Sequence, residues 1–182
     1  MKNIVILFIV VSSLLGCGTS NFSKEIIEVD ALLSLVDETE KMLLSIDTSR
    51  VFATKKRMEI DYKEFTQYSD TLSREEAFRF DDIFGSKKKI FRTAKSYEAF
   101  INEIDNSKIQ LNNLKTDLEN GLVKKEQYLS YYESEKKAYE GLIHQINKAI
   151  GNFDVAISKY ELERPELLEL IEKRRIRAAK NE

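Results

Sequence analysis

Two apolar series at seven-residue spacing constrain this chain more than any other feature. Ile90, Tyr97, Ile104, Leu111 and Leu118 form the first, supported by Ala94, Ile101, Leu114 and Leu122. Tyr132, Tyr139, Ile146, Phe153 and Tyr160 form the second, supported by Leu129, Ile143, Ile150 and Ile157. Seven residues make about two helical turns, so each series is an apolar stripe along one helix face. Each stripe belongs to a helix of roughly 35 residues, about 50 Å long at 1.5 Å per residue. Between them, Asn120-Gly121 can adopt left-handed backbone angles at little cost, and this predicts an antiparallel hairpin over 87–162. The two series keep one phase across Gly121. A single rod of twice the length, its seam covered by another chain, is therefore the competing reading.

The rest of the chain reads as further helix. With 6 Gly and 1 Pro, turn and strand punctuation is scarce, and helix formers dominate. From Ser23 to about Ile46, Ile26, Val29, Leu32, Leu33, Val36, Leu43 and Ile46 recur at three- and four-residue steps, with Ser23 as the expected N-cap. Asp47-Thr48-Ser49 offers a stop and a new cap. Val51, Met58, Phe65 and Leu72 then predict a second helix over about 50–71, displaced by one residue from the phase of Val29, Val36 and Leu43. Ser73-Arg74-Glu75-Glu76 matches a capping box opening a short segment that ends at Gly85-Ser86. Arg164-Pro165 predicts a boundary before a last helix over about 165–179. The fold expected is all-α: one elongated antiparallel bundle over residues 23–182, with the coiled-coil-like hairpin as its spine.

The only cysteine, Cys17, follows an apolar run from Ile4 to Leu15 that begins after Lys2. That run is about 12 residues, against roughly 20 for a bilayer-spanning helix, and has the charged start, apolar middle and small-residue end of an export signal. Leu14-Leu15-Gly16-Cys17 resembles the lipobox of bacterial lipoproteins. The resemblance covers residues 1–17 and implies a signal peptide over 1–16, cleavage between Gly16 and Cys17, and a diacylglycerol thioether on Cys17 with an acyl chain on the new amino terminus. A thiolate suits alkylation, and two or more acyl chains give stable anchoring where one does not. Residues 17–22 would then be a short tether. No aspartate follows Cys17, which by the resemblance points to the outer membrane, at its periplasmic face or the cell surface.

Chemistry-bearing motifs are sparse. One cysteine and one histidine leave almost no soft metal ligands, and no cofactor or metal is expected. His144 has Glu140 on its own face but no second histidine; Asp81-Asp82 are adjacent, so their side chains diverge by about 100 degrees and read as a solvated pair. No nucleophile-base pattern or glycine-rich phosphate loop is present, so no enzyme is expected. The 29 basic and 31 acidic residues leave no footprint for nucleic acid. Two clusters could meet a partner: the aromatic group Phe78, Phe80, Phe84 and Phe91, and the basic run Lys173, Arg174, Arg175 and Arg177, which also suits the end of a helix. The function expected is a non-enzymatic interaction module, tethered to a membrane at Cys17 and docking to an envelope protein or to itself. A bundle holding a small apolar ligand, or a self-assembling envelope spacer, are the alternatives.

Overall fold

The computed structural model describes residues 22–180, and these form six helices joined by short connections, with no strand among them. They are α1 (Ser23–Leu44), α2 (Thr48–Thr66), α3 (Arg74–Phe84), α4 (Lys87–Glu119), α5 (Lys125–Ile150) and α6 (Phe153–Lys180). Cys17 and the residues read as signal and tether up to 21 lie outside the described part.

Helix α4 is the spine. Lysines along it mark the course of α1: Lys115 meets Asp30 at 2.7 Å, and Lys108 meets Asp37 and Glu40 at 2.9 and 2.8 Å, so α1 runs antiparallel to α4. Helix α5 returns along α4, where the Thr93 hydroxyl donates to the Ala149 carbonyl at 2.7 Å. α1 and α5 are thus parallel neighbours, and Tyr128 and Tyr139 of α5 reach Glu28 and the Leu35 carbonyl of α1. Helices α2 and α6 continue the directions of α1 and α5 past the start of α4, and α3 runs antiparallel to α6 across this head.

The stripes read from sequence form the core. Ile90, Ile104, Leu111 and Leu118 of the first series are buried, as are Ile146, Phe153 and Tyr160 of the second; Tyr97, Tyr132 and Tyr139 are half-buried. The hairpin, not the rod, is formed. Gly121 takes φ of 64°, its N–H donates to Leu118, and the Leu122 N–H donates to Asp117, the paired bonds of a Schellman stop.

Four boundaries differ from expectation. The N-cap of α1 is Phe22, and Ser23 is already helical. α2 ends at Thr66, because residues 67–73 form a connection held by α6. The returning arm of the hairpin stops at Ile150, where Asn152 adopts φ of 61°, and α6 begins at Phe153 inside the second seven-residue series. The series survives the break because its last two members, Phe153 and Tyr160, still face the core. Finally, Pro165 lies inside α6. Proline removes one helical hydrogen bond, but Ile157, Tyr160, Leu167, Leu170, Ile171 and Arg174 form one continuous buried face across it. Burial of that face outweighs a local defect of about 3 kcal/mol.

Candidate functional site

The head shows what the aromatic cluster does. Phe80 stacks on Phe65 of α2, ring centroids 4.0 Å apart and planes at 15°, and lies 4.7 Å from Phe84. Phe84 is buried and meets Tyr62 edge-on at 5.4 Å. Phe91 is half-buried beneath the ammonium groups of Lys55 and Lys87, at 5.3 and 5.5 Å. Phe78 points outward, 60% exposed, with the Arg74 guanidinium 5.4 Å from its ring. The four rings therefore do not share a face: Phe80 and Phe84 bind α3 to the bundle, and Phe78 is the one left on the surface.

The basic run divides in the same way. Arg174, 4% exposed, donates to the Asp70 carboxylate at 2.8 Å and to the carbonyls of Phe65 and Tyr68 at 2.6 and 2.7 Å. Arg177 bridges Asp70 and Glu76 at 2.9 and 2.8 Å. The hydrogen bond from Arg174, and then Arg177, holds the Asp70 carboxyl below the usual carboxylate range; Arg177, followed by the Ser73 amide, does the same for Glu76. Arg175 pairs with Glu172 one turn away, and Lys173 stands at the rim of an open groove of about 280 Å³ between α3 and α6. Two of the four cations thus clamp the α2–α3 connection, a task their place near a helix end did not reveal.

Sequence reading missed a buried polar cluster. Asp61, 1% exposed, accepts from the Tyr160 hydroxyl at 2.5 Å and from Arg164 at 2.7 and 3.1 Å. Burial, reinforced by the Asp61 carboxylate, pushes the Tyr160 phenol well above its ordinary value. Beside it Glu161 accepts from Arg50 at 2.7 Å and Arg57 at 3.1 Å, and the Arg50 hydrogen bond lowers its carboxyl. Arg79 donates to both carboxylate oxygens of Glu166 through Nε and Nη2. A signal was present for Asp61: Val51, Met58 and Phe65 define the buried stripe, and Asp61 falls between the last two at helical steps of three and four. These ion pairs join α2 and α3 to α6.

Among the remaining candidates, Asp82 pairs with Lys159 at 2.6 Å, while Asp81 and His144 are exposed. No group of three or more His, Cys, Asp or Glu side chains is placed to hold a metal among the described residues. Nor is any described helix long and apolar enough to cross a membrane. Of the tyrosines in the two series, Tyr139 and Tyr160 donate to the Leu35 carbonyl and to Asp61, and Tyr128, outside the series, donates to Glu28.

A further open groove lies between α4 and α5. Its floor is Phe100 and Leu142, both buried, and its walls include the small residues Ala99, Ala138 and Gly141. One section measures about 450 Å³ and a second about 300 Å³, and the two adjoin at Phe100 and Gln145. No residue of α1 lines it. Arg92, Lys137 and Lys148 flank it against the single acid Glu103, giving a basic rim. A Cβ placed on Gly141 would meet nothing within 4 Å. No protein-family model, curated protein or solved structure matches the chain.

Proposed function

We propose that this chain is a lipid-anchored envelope protein that acts without catalysis, holding its bundle at a membrane and receiving an amphipathic helix of a partner protein in the α4–α5 groove. The anchor is a diacylglycerol thioether on Cys17 with an acyl chain on the amino terminus, at the outer membrane. Its support is the lipobox-like run Leu14-Leu15-Gly16-Cys17 behind an apolar stretch too short to span a bilayer.

One observation carries the docking half. Gly141 sits in the interior of α5, where glycine is less favourable than alanine by about 0.5–1 kcal/mol, and the fold has no close neighbour that demands it. Bare backbone and two alanines beside an apolar floor let another helix approach closely. The occupant that fits is a helix with small apolar residues on one face and acidic residues on its flanks, facing Arg92, Lys137 and Lys148.

The test is cross-linking in intact cells of the natural host, with a tag after Glu182, then purification in detergent and sequencing of what is recovered. The reading predicts one envelope protein recovered with the wild-type chain and lost with Ala138→Arg, while helicity and thermal midpoint stay unchanged. Recovery of the same protein with both chains contradicts groove docking. Recovery of further copies of this chain alone contradicts a separate partner.

A further inference from the structure

The groove lies along the α4–α5 pair, whereas the end of the bundle at which α1 begins carries a different surface. Phe22, at the start of α1, is buried, and the salt bridges of Asp30 with Lys115 and Glu25 with Lys125 put this end of α1 beside the α4–α5 turn. Cys17 precedes Phe22 by five residues, a length of chain that spans at most about 17 Å. A lipid on Cys17 therefore keeps the α4–α5 turn within reach of the bilayer.

At that turn stands Leu122, 71% exposed. In a Schellman stop the residue at this position frequently packs back on the third residue from the helix end, but here that residue is Asp117 and the leucine has no apolar seat. The turn is nevertheless well held. Val123 and Tyr128 are buried behind it, the Leu122 N–H donates to the Asp117 carbonyl, and the Lys124 N–H donates to Gln127 Oε1. A hydrogen-bonded turn thus presents Leu122 at the anchored end, where Ile27 and Leu129 are exposed as well. Around it Lys24 pairs with Glu28, Lys115 with Asp30 and Lys125 with Glu25, while Asp117, Glu119 and Glu126 stand beside the single cation Lys124, so the tip is mildly acidic and what it offers a lipid surface is apolar.

We infer that the α4–α5 turn is a membrane-contact tip, with Leu122 seated in the lipid interface beside the anchor, an inference that rests on the lipid at Cys17 proposed above. One leucine partitions weakly by itself. Tethered within a short chain length of the surface, its contact becomes intramolecular and is made more often than a free leucine's would be. The contact biases the tilt of the bundle and hence the height at which the groove is offered.

The test uses the full chain matured in its host, purified in detergent and reconstituted in phosphatidylcholine vesicles. Leu122→Cys carries an environment-sensitive fluorophore, with Thr71→Cys at the head as control; both positions are exposed. Mass spectrometry of the Cys17 peptide on the same preparation reports the anchor. The inference predicts a lipidated Cys17, a blue-shifted emission at position 122 quenched by brominated lipid, and water-like emission at 71. A lipidated Cys17 with water-like emission at 122 overturns the tip and leaves the anchor standing. An unmodified Cys17 overturns both.

Discussion

Arg174 and Asp70, 104 residues apart in the chain, form a nearly buried ion pair in which the guanidinium also satisfies the carbonyls of Phe65 and Tyr68. This one side chain closes the end of α2 onto α6. Arg174→Met is expected to destabilise the bundle by about 3–5 kcal/mol in denaturant unfolding, because it leaves buried acceptors without donors. Arg174→Lys should recover little, since an ammonium cannot present the same planar fork of donors. A loss below about 1 kcal/mol in the methionine variant would contradict the clamp.

Acid should loosen this head first. Asp70 and Glu76 have carboxyls lowered by Arg174 and Arg177, so the unfolded chain takes up protons before the folded one as pH drops. Their stabilisation is complete above the ordinary carboxylate values of about 4 and is lost as pH falls through the lowered folded values. The thermal midpoint should therefore hold between neutrality and about pH 5 and fall below about pH 4. Arg177→Gln should make that fall shallower, and an unchanged slope would count against the assignment.

The proline inside α6 gives a sharp discrimination. If Pro165 began a helix, alanine there would change little. Because Pro165 lies within α6, and is exposed, Pro165→Ala should restore a hydrogen bond to the preceding turn and raise stability by about 1–3 kcal/mol. No gain in the denaturant midpoint would argue for a helix boundary at this point.

Gly141 separates folding from docking. Gly141→Ala should stabilise the isolated chain by about 0.5–1 kcal/mol, as nothing in the fold opposes a methyl group there. The same change should weaken partner recovery in cells. A destabilised variant would mean that the glycine serves the fold and not the groove.

What could be read from the residues follows their physics. Regular burial leaves a period, so the stripes through Ile90–Leu118 and Tyr132–Tyr160 announced the bundle and its spine. Local chemistry was legible too: Ser73 and Glu76 form the reciprocal capping box, and Asp47 caps α2 by accepting from the Arg50 amide. The break at Gly151-Asn152 stayed hidden because the residues on either side keep one phase, and the passage of α6 through Pro165 depends on packing that no local rule contains. The ion-pair clamp and the candidate groove were less legible still. Arg174 looks like any cation near a helix end until Asp70 is brought to it, and the small residues Ala99, Ala138 and Gly141 meet only once α5 folds back on α4.

The most direct measurement places a photoreactive phenylalanine analogue at Ala138 in the groove and, separately, at Phe52, an exposed position on α2, in the full chain in living cells. The account predicts a single adduct from position 138, mapping to an amphipathic, acid-flanked helix of an envelope protein, and none from position 52. No adduct at 138, or the same adducts from both positions, would contradict it.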